Sequence, residues 1–586
     1  MRAEEFNEKV ARILTADLPS EKEIHRRAKD MAENLSIGRT AFMRKMGVAS
    51  EVEYKRACIK GRRIMYHAHV GMSTWAETSH ALKRLYAEME SRGFVQDRAG
   101  ICLDRRMGLP SAMRHAVPAE TGPILETDED WRDVALAAPI QPHMGDFMIG
   151  FPASAENASK ALRVGVTTVG NLSQFFSHEV PMWKDPIYTT AETTLAIALM
   201  GRFRDSGTLL HSYLDDGFGA LFFDSATVAG WALLERYIVE ELLGAKLGHC
   251  MGGLISDPIK RSGWIFALDE IHDHDCIGTM FFGDTISFSH DFDKNRGLVA
   301  EYLTWDIMTQ LECPTGHGVL SMPVTEAVRV PSIEEIVEAQ VFARRIEEGA
   351  RRMHRYVDFS APRAFARLVC DGGRRVYENA IAGLGDAGVN LKDPVQMLYV
   401  LKRIGPADFE EMFGAGEADE NSPRGRRPVA RNDVFVESDR RIEVESKWFT
   451  SSAIRAAVRS RRFLLASTDV HEHALYVMRT IIRNCDGIVV DIGPEKNPDE
   501  VAEACLERGA DVLLISTHNG MALEYARLLL EELEERNVDI PVVMGGVLNQ
   551  KIEEAAMPVD VDDALVSLGI HPARTLERLA YILKGL

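Results

Sequence analysis

At 586 residues, 46% apolar and 27% charged, the chain has a globular composition with room for two or three domains. Its net charge of −20 argues against a general nucleic-acid binder, which needs a basic footprint. Eight cysteines stand singly with no Cys-x-x-Cys, so no disulfide framework or zinc ribbon is expected, and a reducing, cytoplasmic compartment is. The N-terminal MRAEEFNEKVARIL has acids where a signal peptide has an apolar core. No run of about eighteen apolar residues predicts a membrane span.

In chain order, residues 1–61 read as a charged helical segment, with apolar positions at helical spacing in EKVARIL and AFMRKM. Over 62–330 short apolar runs (RIMYHAHV, AGICL, DFMIGF, GTLLHSYL, GALFF, IGTMFFG) alternate with helical stretches. That alternation predicts an α/β fold with a parallel sheet, and its length suits a (β/α)8 TIM-like barrel. Residues 331–413 read as a helical extension, and 414–459, opening on GAGEADENSPRGRRPVARND, as a linker. Over 460–586 the strands RFLLAST, GIVVDIG, DVLLIST, IPVVMGG and ALVSLG alternate regularly with helices, which predicts a doubly wound, flavodoxin-like (Rossmann-like) domain. In such a domain ligands gather beyond the carboxyl ends of the strands. The loops there read TDVHEH, STHNG and GGVLNQ.

TDVHEH admits two readings. Asp469 could cap a helix with His471 and His473 in solvent, or His471 could ligate a metal carried by a cofactor. Ser516, Thr517, Gly545 and Gly546 stand at the ends of the third and fourth predicted strands. With these residues in order, 460–586 resembles the cobalamin-binding domain of methylmalonyl-CoA mutase, glutamate mutase and methionine synthase. The resemblance implies cobalamin as cofactor, with His471 as the nitrogen ligand to cobalt and Asp469 fixing its tautomer. It further implies that Ser516 and Thr517 meet the displaced nucleotide base and that Gly545 and Gly546 let backbone pack against it. Ala474 and His518 depart from the family's Gly and Leu.

The 145–350 region is faintly similar to the catalytic subunit of glutamate mutase, in GFGALFFDSATVAGWALLERYIVEELLGAKLGHCMGG, MPVTEAVRVPSIEEIVEAQ and HEVPMWKDPIY. This resemblance implies that Glu326 holds the ribose of an adenosyl group and that Glu179 and Tyr188 orient substrate. Where that family clamps its dicarboxylate with an arginine, this chain has Thr168-Val169-Gly170, so a small acid other than glutamate is expected. Arg105 and Arg106 offer a different clamp or a solvated loop.

Taken together the resemblances imply an adenosylcobalamin-dependent carbon-skeleton mutase, an isomerase acting by a radical mechanism on a small carboxylic acid. They imply a homodimer served by a reactivating chaperone, with no nucleic-acid or membrane partner. A corrinoid-dependent methyltransferase and a non-catalytic cobalamin sensor are the alternatives. Three further clusters each carry a bland reading beside a chemical one. His272, His274, Asp275 and Cys276 read as a loop, His317 as a turn at a strand end, and Asp215-Asp216 as a strand-end turn or an acid pair.

Overall fold

The alternation over 62–330 resolves into eight short strands: β1 Met65–Val70, β2 Arg98–Ile101, β3 Gln141–His143, β4 Thr168–Val169, β5 Leu209–Tyr213, β6 Leu247–Met251, β7 Met280–Phe281 and β8 Gly318–Leu320. The computed structural model describes residues 3–117, 119, 122–180, 182–326, 328–468, 472–494, 496–518, 520–550 and 559–586. The chain divides into two compact units, Met1–Asn432 and Asp433–Leu586.

In the first unit the strands form two four-stranded parallel sheets, β3-β2-β1-β8 and β4-β5-β6-β7. Among the described residues the sheets are tied by single links rather than ladders. Met144 and Val169 form a parallel bridge between the ends of β3 and β4, and Gly278 N–H donates to Thr315 C=O, 2.8 Å, before β7 and β8. The full barrel expected from the alternation is thus observed as two half-sheets whose strands follow chain order.

Strand β1, MYHAHV, shows why the sheets face one another. Tyr66, Ala68 and Val70 join the apolar cluster beneath the helices, while His67 and His69 point the other way, as period-2 alternation requires. There His67 meets His143 of β3 at 5.7 Å between ring centroids and His317 at 5.6 Å, and His211 of β5 meets His143 at 4.8 Å. The interior of this unit is therefore lined with imidazoles rather than aliphatic side chains. Burial holds His67, His143, His211 and His317 well below the usual histidine range, so they are neutral at pH 7.

The helix Glu51–Gly61 completes this interior from the side where the strands begin. Fully buried Glu51 pairs with Lys55 at 3.0 Å and with Arg98 at 2.7 Å, and Thr168 Oγ1 donates to it at 2.9 Å. Burial disfavours the Glu51 carboxylate, but Arg98 and Lys55 overcome it and its pKa falls below the ordinary value. Arg98 also reaches the His317 ring, 2.9 Å from Nδ1. His317 precedes β8, so the strand end it occupies is the amino end.

The extension comprises the helices Ile333–Met353, Ser360–Asp386, Pro394–Ile404 and Pro406–Phe413. The first is opened by a capping box between Ser332 and Glu335. The segment read as a linker is structured. Asp224 accepts from Val429 N–H (2.8 Å) and Ala430 N–H (2.9 Å), and Asn432 donates to Gly219 and Phe222 carbonyls, both 3.0 Å. Polar composition there reflects a strap held by backbone hydrogen bonds, so residues up to 432 belong with the first unit. The second unit then begins with the helix Asp433–Glu445.

The second unit is built on β9 Arg462–Ser467, β10 Ile488–Asp491, β11 Val512–Thr517, β12 Val542–Gly546 and β15 His571–Pro572, with an antiparallel pair β13 Asn549–Gln550 and β14 Val559–Asp560 beside them. Its parallel sheet has the order β10-β9-β11-β12-β15, the doubly wound topology with its switch point between β9 and β11. Continuous apolar runs such as RFLLA suit strands covered on both faces. Phe463, Leu465, Leu514 and Val543 pack with Leu475, Ile482 and Leu579 on one side. Leu464, Leu513, Ile515 and Met544 pack with Val501, Ala526 and Leu529 on the other. Among the described residues no helix is long and apolar enough to cross a membrane.

Candidate functional site

Two groups of residues lie at carboxyl ends of parallel strands, one in each unit. In the first unit β3 ends on His143. Its Nδ1 lies 3.1 Å from the Thr168 carbonyl, which can only accept, so Nδ1 carries the proton and Nε2 accepts from the Tyr213 hydroxyl at 2.6 Å. A Cβ on Gly145 would stand 2.1 Å from the Tyr213 oxygen, so glycine there admits the phenol.

Around this pair lie four acids. Gln174 donates to Asp146 Oδ1 and to Asp216 Oδ2, each 3.2 Å, and Asn171 donates to Asp216 Oδ2 at 2.7 Å. Asp215 Oδ2 accepts from Gly252 N–H at 2.7 Å. Burial, only partly opposed by Gln174, lifts the Asp146 pKa to about 6. Burial and the charge of Glu335 lift Glu326 to about 7. Both carboxyl groups act on the Cys102 thiol, which burial and their charge push above its ordinary range. Asp146 and Glu326 thus titrate close to neutral pH, and in their protonated forms can donate hydrogen bonds to an anionic ligand.

Two cations, Arg105 and Lys402, act on His178 beside it. Arg105 and burial together depress the His178 pKa, burial first, to about 3. His178 is therefore neutral, and its 3.9 Å approach to Asp216 is not an ion pair. Arg106 is instead tied to Asp104, with Nε 2.8 Å from Oδ1.

Buried Arg261 positions the loops after β6 and β7. It pairs with Asp306 (3.0 and 2.7 Å) and donates to the carbonyls of Gly252 (2.6 Å), Ile255 (2.9 Å) and Phe282 (2.7 Å).

The predicted residues fall unevenly. Glu326 lies in the loop after β8, half-buried, where its field and that of Asp146 meet at Cys102. Glu179 is exposed, next to His178. Tyr188 is 42% exposed in the first turn of the helix Pro186–Gly201 and packs on Trp183 at 5.3 Å. Its electrostatic neighbours are Glu192 and Arg27, themselves paired at 2.6 Å, rather than the four acids. Asp215 and Asp216 are both engaged, one by a backbone N–H and one by two amides. His143, Asp146, Asn171, Gln174 and Tyr213 were not singled out in sequence. The signal available was the recurrence of histidine at alternate positions of short strands.

In the second unit β9, β11 and β12 end in register. Ser467 pairs with Ser516 and Ser516 with Gly545, and Thr517 pairs with Gly546. Thr468 N–H donates to Ser516 C=O at 2.9 Å, and the Thr468 and Thr517 hydroxyls meet at 2.8 Å. A Cβ on Gly545 would lie 2.7 Å from the Ala573 carbonyl. Gly546 has φ +99°, and a Cβ there would fall 2.2 Å from the Thr517 carbonyl. The described residues of this row are Ser467, Thr468, Ser516, Thr517, Gly545 and Gly546, and the His518 ring closes one end of it, its Cε1 3.0 Å from where a Gly546 Cβ would stand. That low, hydroxyl-bearing cradle fits an extended group laid across the strand ends. Asp469 and His471, which follow β9 directly, lie outside the described residues. Ala474 is in the helix Glu472–Arg483.

Residues 464–576 match the model of the B12 binding domain, so the C-terminal unit carries a cobalamin-binding domain. A curated relative, the "Fused isobutyryl-CoA mutase" of Paraburkholderia xenovorans (strain LB400), is 34% identical over 92 residues. That alignment covers 15% of this chain and 7% of that protein.

Proposed function

We propose that the chain is an adenosylcobalamin-dependent carbon-skeleton mutase acting on a small carboxylic acid, with the eight strands of the first unit serving as a (β/α)8 barrel. The observation that carries this reading is the cobalamin-binding match across the strand-end row of Ser467, Ser516 and Gly545. The alignment to a protein named as a mutase supports the choice of chemistry.

When bound, adenosylcobalamin would supply the radical chemistry, and the chain's own residues would position substrate for it. His471 would hold the cobalt and Asp469 would fix the imidazole's tautomer. Ser516, Thr517, Gly545 and Gly546 line the tail of the cofactor.

In the first unit Arg105 takes the substrate carboxylate. Glu326, with a pKa near 7, keeps its proton in about half of the molecules at pH 7 and hydrogen-bonds it, and Asp146, near 6, joins it in mildly acidic solution. Glu326 would also anchor the adenosyl ribose, and Glu179 and Tyr188 would orient the substrate. Tyr213 and neutral His143 form a fixed donor–acceptor pair at the floor. The buried walls exclude water from a reactive intermediate.

Electron spin resonance on the full chain tests this reading. With adenosylcobalamin and a panel of small carboxylic acids, one substrate should produce a cobalt-coupled organic radical, and methylcobalamin should produce none. Methyl transfer from methylcobalamin, or binding without turnover, defeats it.

A further inference from the structure

At the opposite ends of the strands, the loops entering β7 and β8 run side by side. Besides the Gly278–Thr315 link, Thr315 Oγ1 donates to Thr279 C=O at 2.5 Å. Three ligand-bearing side chains meet there: Asp269 near the end of the helix Pro258–Ile271, Cys276 just before β7, and Cys313 immediately after the helix Phe292–Glu312. One oxygen or sulfur of each lies within 4.8 Å of the others.

The surroundings select these three. Cys276 Sγ is 3.1 Å from Asp269 Oδ1, and His274 Nδ1 is 2.7 Å from Asp269 Oδ2. Asp273 and His274 both take left-handed backbone, φ 52° and 63°, and His274 N–H donates to the Asp269 carbonyl at 2.8 Å. That tight reversal brings the imidazole back onto the carboxylate. The other acids of the loop are already paired, Asp273 with Arg236 at 2.5 Å and Asp275 with Arg56 at 3.4 Å and Lys246 at 3.6 Å. Among the described residues no lysine or arginine pairs with Asp269. Two sulfurs and a carboxylate are thus gathered with an imidazole, and no lysine or arginine among the described residues, beside the carboxylate.

We propose that Asp269, Cys276 and Cys313 bind a zinc ion that staples the two loops, with His274 orienting the Asp269 carboxylate. Thiolate, thiolate and carboxylate suit borderline-soft Zn2+ better than Mg2+ or Ca2+, which take oxygen ligands. Tetrahedral zinc, with Zn–S near ~2.3 Å and Zn–O near ~2.1 Å, sets its ligand atoms roughly 3.5–3.8 Å apart. The cluster needs only small side-chain adjustments to reach that. Binding forms two Zn–S bonds and one Zn–O bond, releases the two thiol protons to solvent, and leaves the fourth position to water. His274, the hydrogen-bond partner of the carboxylate, acts as a positioning residue. The site lies away from the carboxyl ends of the strands, so its role is in stability rather than turnover.

The test uses the full chain free of corrinoid, so that cofactor cobalt stays out of the metal count. Reduced and chelator-stripped protein is given zinc chloride, gel-filtered and analysed by mass spectrometry for metal. About one zinc per chain should be retained, with about two protons released and alkylation of half-buried Cys313 slowed. Cys313→Ser and Asp269→Asn should abolish retention, while Cys505→Ser, in the other unit, should keep it. His274→Ala should weaken affinity by about ten- to a hundred-fold. Circular dichroism establishes that the variants are folded. Should Cys276→Ser fail to fold, the Cys313 and Asp269 variants carry the test. Wild-type protein that retains no zinc, or a Cys313→Ser variant that retains as much as wild type, overturns the proposal. So does a Cys276–Cys313 disulfide whose reduction restores no zinc uptake.

Discussion

Arg261→Met probes how the strand-end loops of the first unit are held. The substitution leaves Asp306 buried and unpaired and strips one donor each from the carbonyls of Gly252, Ile255 and Phe282. Breaking one side of a buried ion pair costs about 3–5 kcal/mol. For a unit of 432 residues, at about 2.1 cal/mol/K per residue, the unfolding entropy is about 0.9 kcal/mol/K, so a loss of about 4 kcal/mol lowers Tm by about 4–5 °C. The second change, Asp306→Leu, discriminates between causes. Burial pushes the Asp306 carboxyl up even with Arg261 against it, so the attraction only partly offsets desolvation. The double variant Arg261→Met/Asp306→Leu should therefore recover about half or more of the loss. It should not recover activity, because the Gly252 loop that engages Asp215 has lost its anchor. Differential scanning calorimetry of the full chain reads this, with the transition of the C-terminal unit as an internal reference. A single variant shifted by less than about 1 °C, or a double variant no more stable than the single one, refutes the reasoning.

Asp469→Asn should weaken cobalamin binding by about ten- to a hundred-fold, and His471→Ala should remove the spectral signature of imidazole ligation; both are read by visible absorbance titration. Glu326→Gln tests a raised carboxyl. Its folded pKa of about 7 exceeds the unfolded value, so the folded state binds the extra proton and stability falls as pH rises from the ordinary carboxyl range through about 7. The glutamine variant should therefore gain in Tm relative to wild type at pH 8 and not at pH 5; equal differences at both refute the assignment. Gly145→Ala should force Tyr213 off His143, cost about 1–3 kcal/mol and depress turnover, whereas Tyr213→Phe should depress turnover with less loss of Tm. Gly546→Ala, at φ +99°, should destabilise the C-terminal unit and lower cobalamin uptake, with the transition of the first unit unmoved.

Sequence alone determined the features that repeat along single elements. The alternation over 460–586 specified a doubly wound sheet through its first four strands, whose apolar runs RFLLA, IVV, VLLI and VVM are legible directly, whereas ALVSLG, expected as the fifth strand, falls largely in the helix Asp562–Ser567 and the fifth strand is His571–Pro572. It likewise put Ser516 and Gly545 at the carboxyl ends of their strands, since those positions follow from where each apolar run stops; the Asp469–His471 pair lies outside the described residues. It reached less far in the first unit. The inward row of His67, His143, His211 and His317, the raised carboxyl groups of Asp146 and Glu326 acting together on Cys102, and the meeting of Cys276 with Cys313 were decided only by tertiary structure. Each joins residues from different loops and strands, separated by tens to hundreds of positions, and leaves no periodic trace in any one of them. The strap at 414–432 was obscured for a related reason: its polar composition looks like a solvated linker until Asp224 is placed beneath it to take its backbone hydrogen bonds.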